Sequence, residues 1–347
     1  MPLTTTCIGA YPKPDHVPIR DWFTVAHKSP DYNASVLGGW TSAQEVRDSL
    51  DRATAEVVSD QIACGIDIPT DGEVRRDNYV HYQCRHFSGF DFENLTAKSM
   101  RNNAYVAELP TISGKVAYSG TPVLVRDWQV AQAASDRPVK ITLPGPLTIM
   151  DTTANRHYGD DRVLAFDLAA AVNAEARALA DAGCTNIQID EPVFARQPGA
   201  ALDFGVEALR RTLDGLPEPV TRTVHICCGY PNQLDDRDYP KADPGAYLQI
   251  AAAIDGVAEQ ISIEDAHRHN PETLFGHFRR SSLVVGFVAI ATSRVEAVDT
   301  IAARMQDVLQ VVPRNRLIAA PDCGLGFLGR DLAMTKLNNL VAAARAA

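Results

Sequence analysis

The sequence predicts an α/β chain folded as one (β/α)8, or TIM, barrel, with a lid-like segment inserted after the second strand. Three observations carry this. Eight short, nearly continuous apolar runs recur along the 347 residues. Ala- and Leu-rich stretches of helical period separate them, as expected when parallel strands are buried on both faces. The rhythm breaks once, between about Asp71 and Pro138.

In chain order, the expected strands are Thr5–Gly9, Gly65–Pro69, Val139–Leu143, Asn186–Ile189, Arg222–Ile226, Gln260–Ile263, Leu283–Val288 and Leu317–Ala320. The expected helices are Ser42–Cys64, Asp160–Ala182, Val206–Leu213, Pro244–Ala253, Val295–Val311 and Ala333–Ala346. Ser42 and Asp160 suit N-caps, and Gly65 and Gly183 stand where a helix would stop. Pro244 fits a first helical turn with Asp243 as cap. Eight β-then-α units make a closed barrel the natural architecture. We expect one catalytic domain over residues 1–347, with the insertion at about 72–137. That stretch is too long for an ordinary connection. Its Tyr79, Tyr82, Phe87, Phe90, Tyr105 and Trp128 suggest a folded lid over the barrel mouth.

Composition narrows the function. A net charge of −10 without a long basic run argues against a nucleic-acid partner. No apolar stretch approaches the ~20 residues of a membrane span. The start, Met-Pro-Leu-Thr-Thr-Thr, lacks the basic and apolar regions of a signal peptide. Seven cysteines form no small-scaffold pattern, so reduced thiols and a cytoplasmic location are expected.

In such a barrel, chemistry gathers at the C-terminal ends of the strands. Four potential metal ligands stand there: His225 and Cys227 in T-V-H-I-C-C-G, Glu264 in I-S-I-E-D, and Cys323 in A-A-P-D-C-G-L-G. In a strand, residues i and i+2 share a side, so His225 and Cys227 could reach one ion. Their donor set suits tetrahedral Zn2+. A zinc site with soft sulfur ligands points to activation and alkylation of another thiol. Singly, each residue has an ordinary alternative: a satisfied polar histidine, a small buried hydrophobe or an ion-pair partner.

Further segments then form an ordered set: T-T-C-I-G-A-Y-P, D-G-E-V-R-R-D-N-Y, L-P-G-P-L-T-I, I-Q-I-D-E-P, V-H-I-C-C, I-S-I-E and P-D-C-G-L. Together they resemble the C-terminal catalytic barrel of cobalamin-independent methionine synthase, and more closely its short single-barrel relatives. The resemblance implies a (β/α)8 barrel and a catalytic zinc on His225, Cys227, Glu264 and Cys323. Cys228 competes with Cys227, but its side chain should point the other way in a strand. The resemblance also places homocysteine on Ile8, Gly9, Glu73 and Asp190. Two carboxylates suit its ammonium group, and backbone N–H groups of the first loop suit its carboxylate.

Two departures affect the methyl donor. Ala10 replaces the family's usual serine in the first loop. Ala289 and Ala291, in G-F-V-A-I-A-T-S-R, stand where an Asp-x-His pattern would supply an acid. Methyltetrahydrofolate leaves poorly until its nitrogen is protonated, so a methylated corrinoid, free or protein-bound, or another non-folate donor is expected. His267 and His269 are the candidate substitutes for the acid. The expected function is therefore zinc-dependent methyl transfer to a thiol, most simply homocysteine to methionine. The alternatives are an epoxide-opening thiol transferase of the coenzyme M type and a lyase resembling uroporphyrinogen decarboxylase.

Overall fold

The computed structural model describes residues 2–19, 44–100, 105–230, 233–236, 239 and 241–347. The expected Ser42 cap, and with it the start of the first helix, lies outside these residues, as does the side chain of Tyr105. The strands are β1 (Thr4–Thr5), β2 (Phe87–Met100), β3 (Tyr105–Tyr118), β4 (Lys140–Pro144), β5 (Ala154–Asn155), β6 (Asn186–Asp190), β7 (Thr221–Ile226), β8 (Gln260–Glu264), β9 (Ser282–Val288) and β10 (Leu317–Pro321). Seven of them form one curled parallel sheet in the order β1-β10-β9-β8-β7-β6-β4.

The second expected strand, Gly65–Pro69, is not a regular ladder strand. Single parallel bridges join Thr6 to Ile68 on one side and Thr70 to Lys140 on the other. Proline explains part of this. Pro69 has no N–H to give to a ladder, although its carbonyl accepts from Lys140 N at 2.8 Å. Asp67 strengthens the seam by accepting from both N and Oγ1 of Thr5, each at 2.8 Å. The first strand is likewise shorter than expected.

Crossover helices cover the outer face of the sheet: Gln44–Ala63, Leu124–Ala133, Asp161–Asp181, Val206–Leu213, Ala246–Ile254, Val298–Leu309 and Arg330–Ala346. Among the described residues, no helix is long and apolar enough to cross a membrane. Asp160 caps its helix as expected, accepting from Arg162 N at 2.8 Å. Gly65 and Gly183 adopt positive φ just beyond helix ends. The helix expected from Pro244 begins instead at Ala246. Asp243 causes the delay: its side chain accepts from Gly245 N and its carbonyl from Ala246 N, forming a turn ahead of the helix. A five-residue π-helical turn, Ala201–Gly205, precedes Val206–Leu213 and was not anticipated.

The main apolar core lies between sheet and helices, while Ile8, Val284 and Ala320 form a small separate cluster. Alternation places Thr142, Gln188, Asp190, His225, Ser262 and Glu264 on the opposite, concave face. All six are buried. Adjacent strands set Asp190 beside His225 and His225 beside Ser262.

The long interruption has two parts. Helix Leu124–Ala133 is an ordinary crossover, with Trp128 Nε1 donating to Val139 O at 3.3 Å. Trp128 is thus a core residue and not part of a lid. The remainder is dominated by the antiparallel hairpin β2–β3, extended by β5. Lys98 anchors it by donating to the carbonyls of Met150, Asp151 and Thr153, beyond the C-terminal end of β4.

One buried carboxylate joins two of these units. Glu191, fully buried after β6, accepts from Leu147 N at 3.0 Å, Thr148 N at 3.1 Å and Thr148 Oγ1 at 2.8 Å. It thereby satisfies the N-terminus of helix Pro146–Asp151. Replacing Glu191 by Ala should cost about 2–4 kcal/mol, because several buried donors lose their acceptor. Glu191→Gln should cost less than half as much. Denaturant midpoints compare the two, and equal losses would show that the hydrogen bonds contribute little.

Candidate metal and substrate site

His225 and Cys227 rise from the end of β7, and Cys323 follows β10. Their ligand atoms lie within 4.8 Å of one another. The ring of His225 is fixed from behind, with Nδ1 2.9 Å from Ser262 Oγ. Its buried Nε2 has no hydrogen-bond partner. A buried ring nitrogen without a partner beside two sulfurs is what a metal-binding centre requires. Hydrogen bonding from Cys323, together with His225, holds Cys227 well below the usual thiol range, while Cys323 is held well above it. The hydrogen bond between the two sulfurs thus favours the charged form of Cys227 over that of Cys323. Burial opposes the charging of His225, but Cys227, Asp190 and Glu264 raise it above its ordinary value.

Glu264, the fourth expected ligand, lies beside this cluster without joining its close set of donor atoms. Its Oε1 accepts from Cys228 N at 3.1 Å, and its Oε2 lies 3.6 Å from Lys241 Nζ. Burial and Cys227 push its carboxyl up to about 7, against the pull of Lys241. The donor types and the bare Nε2 fit zinc. Cys228 is fully buried, and burial raises its thiol pKa. It is not among the clustered donors, in keeping with its opposite orientation on the strand.

The expected substrate residues form the neighbouring wall. Glu73 follows Gly72 and has φ +56°, an uncommon conformation for a non-glycine residue and a frequent one at binding sites. Thr142 Oγ1 donates to Glu73 Oε1 at 2.8 Å, and Arg76 Nη1 lies 3.6 Å from the same oxygen. Burial, offset by Arg76 and reinforced by Asp190, pushes Glu73 up to about 7. Asp190 accepts from Gln188 Nε2 at 2.8 Å, and burial lifts it to about 6. Gln188 also donates to Ile8 O at 2.8 Å, tying the first loop to Asp190. Gly9 is required by close approach, since a Cβ there would lie 2.5 Å from Glu73 Oε1. Ile8, Gly9, Glu73 and Asp190 are therefore brought together.

The two histidine candidates separate. His267 lines a small pocket with Tyr239, Lys241, Glu264, Ile290, Ala291 and Asp322. Partial burial, Lys241 and Arg268 hold it down at about 4, so it is a neutral imidazole near pH 7. His269, exposed as His267 is, has φ +48° and does not line that pocket.

Sequence reasoning missed four contributors. Ser262 and Asp322 stand inside segments already singled out, and Ser262 follows the same alternation as Glu264. Asp322 accepts from the backbone N–H groups of Asp265, Ala266 and His267, each at 2.9 Å, which fixes the turn after β8. Tyr79 belongs to the insertion, yet it interacts electrostatically with Asp190, Cys227, Glu73 and Cys323. Lys241 has no periodic signal at all.

Known proteins are similar to this one along almost the whole chain. A methionine synthase of Sulfurisphaera tokodaii is 30% identical over 343 residues, covering 98% of this chain and 90% of that protein. One from Thermococcus kodakarensis is 30% identical over 98% of this chain and 91% of its own length. A B12-independent methionine synthase from Shewanella sp. W3-18-1, solved in complex with selenomethionine, superposes with a TM-score of 0.85. It is 28% identical, with 99% of this chain and 97% of that one covered. Residues 3–346 match the family described as "Cobalamin-independent synthase, Catalytic domain", and the chain belongs to that family.

Proposed function

We propose that this protein is a zinc-dependent methyltransferase that methylates homocysteine to methionine. The observation that carries the proposal is the cluster of buried His225 and Cys227 with half-buried Cys323 and a bare His225 Nε2, adjoining the paired acids Glu73 and Asp190. The selenomethionine in the Shewanella relative supports an amino-acid pocket of this kind. We further read the curled sheet as a closed (β/α)8 barrel, with residues 66–70 as the eighth stave and the whole chain as one catalytic domain. In this reading the insertion shields the mouth and brings Tyr79 up to the site.

Zinc held by His225, Cys227, Cys323 and Glu264 would supply a Lewis acid that keeps the substrate sulfur as thiolate at neutral pH. The chain's residues do the rest. Ser262 orients His225, Glu73 and Asp190 take the ammonium, and the first loop at Ile8 and Gly9 receives the carboxylate. The donor is a molecule whose leaving group departs without prior protonation. Ala289 and Ala291 offer no acid, and His267 is neutral near pH 7. A methylated corrinoid belongs to that class. Because the family and its solved relative are described as cobalamin- or B12-independent, methylcobalamin serves here as a probe of leaving-group chemistry. The family match favours neither the epoxide-opening nor the decarboxylase alternative. With thiolate ligands at work, a reducing compartment such as the cytoplasm is the fitting location.

The metal is tested directly. The purified protein should hold about one zinc per chain, and Cys227→Ser or Cys323→Ser should lose metal and activity while circular dichroism stays unchanged. Full activity of a metal-free preparation would overturn the assignment.

The paired acids predict a pH signature. An ammonium group between Glu73 and Asp190 favours their ionised forms, so their pKa values fall on binding and protons are released. The effect belongs to the window around pH 6–7, where these groups are partly protonated, and fades by pH 8, where both are already ionised. L-methionine, which has no thiol proton, isolates this contribution. Calorimetry in buffers of different ionisation enthalpy should show release near pH 6.5, with less in Glu73→Gln. Proton uptake, or release independent of pH, would count against ammonium binding there.

The donor assignment predicts that methylcobalamin outperforms methyltetrahydrofolate by about 10²–10⁴-fold, the usual contribution of a positioned acid. Replacing both His267 and His269 by Gln should leave the methylcobalamin rate unchanged. Rapid turnover of methyltetrahydrofolate by that double variant would refute the reading of Ala289 and Ala291.

A further inference from the structure

Glu264 has two sets of neighbours. On one side stands the His225/Cys227/Cys323 cluster. On the other, Lys241 Nζ lies 3.6 Å from Oε2 and 4.9 Å from the centroid of the Tyr239 ring. Oε1 is pinned by the Cys228 N–H at 3.1 Å, whereas buried Oε2 accepts no hydrogen bond. One oxygen is therefore an anchor and the other is uncommitted. Lys241 lines the small pocket next to the cluster, and its side chain is only 17% exposed. The other carboxylate lining that pocket, Asp322, is occupied by three backbone N–H groups.

We propose that Lys241 is a positioning residue that receives Glu264 when this carboxylate yields its place in the metal centre to the substrate sulfur. The proposal rests on the zinc-dependent reading above. In the exchange, the thiol proton passes to solvent, the sulfur enters as thiolate, and Glu264 remains a carboxylate that changes neighbour. A carboxylate released into this buried pocket without a cation would be strongly disfavoured and would stay on the metal. With Lys241 present, Oε1 is held by the Cys228 N–H and Oε2 would have a cation at hand on leaving the metal centre. The four-ligand centre would keep its charge, since one anion replaces another, and Lys241 offsets the charge of the glutamate that leaves it. Lys241 thus governs how readily the centre admits a thiol, and it does so without contacting the sulfur.

Cobalt-substituted full-length protein tests this, because sulfur-to-cobalt charge-transfer absorption reports entry of a third sulfur independently of turnover. The parent, Lys241→Met and Lys241→Arg are titrated with homocysteine, and their metal affinity is measured by competition with a chelator. In Lys241→Met the homocysteine midpoint should rise by about 10–100-fold, the usual effect of losing an outer-shell partner. Metal affinity should tighten, because Glu264 has no alternative neighbour. Lys241→Arg should restore most of both properties. Should the Met variant fail to fold, Lys241→Gln carries the same expectation. Unchanged midpoint and metal affinity in a folded Met or Gln variant would overturn the role of Lys241 alone. A parent that binds no metal, or whose spectrum ignores homocysteine, would overturn the zinc-thiol reading and this proposal with it.

Discussion

The constraint on which the rest of the site depends is an excess of buried negative charge. Glu73, Asp190, Glu264 and Asp322 are all nearly inaccessible to water, and among them stands Cys227, whose thiol is held well below its usual range by Cys323 and His225. Arg76 and Lys241 each lie against this group, but neither neutralises it. Burial, first of all, raises the pKa values of Glu73, Asp190 and Glu264, and the neighbouring cations offset it only in part. Burying unpaired carboxylates is costly, so a stable fold retains such a cluster where cations are to be received. A metal at one end and an ammonium at the other would complete the pairing.

The concave face of the sheet makes that concentration of charge possible. Its strands present apolar residues to the helices and polar residues to the interior at alternate positions, so the burial of one face orders the other. Thr142, Gln188 and Ser262 contribute no charge, yet each donates to or orients a charged neighbour: Glu73, Asp190 and His225. Loops after the strands then add Glu73, Cys227 and Cys323 from distant parts of the sequence. The result is a site whose precision derives from strand ends and not from mobile connections.

Much of this was legible in the sequence because period and residue type coincide. Apolar runs located six of the strands closely, and Asp160 announced its helix. The interspersed polar residues marked the strand ends where the cluster forms. The first two strands were legible as positions and not as ladders, since Pro69 withdraws a hydrogen bond that the apolar pattern alone implies. The hairpin of β2 and β3 was hidden because its mixed composition breaks up the apolar pattern, although Phe87, Ile112 and Val116 reach the core, and Trp128 was misplaced because an aromatic residue signals burial without saying against what. Lys241 was invisible for a related reason. Its meaning comes entirely from a carboxylate 23 positions further along the chain, which only tertiary packing brings within 3.6 Å.

The seam at residues 66–70 has a consequence for breathing of the molecule. Two isolated bridges close this part of the sheet, where neighbouring strands share continuous ladders. Amide protons along the seam should exchange with solvent earliest among the inner-sheet segments. The seam leads directly into Thr70, whose hydroxyl donates to Gly9 O at 2.8 Å, and then into Glu73. A ligand bridging Gly9 and Glu73 would therefore stitch together the two edges that open most easily. Occupancy of the pocket and cohesion of the sheet become one equilibrium, so the protein would stiffen as its substrate arrives.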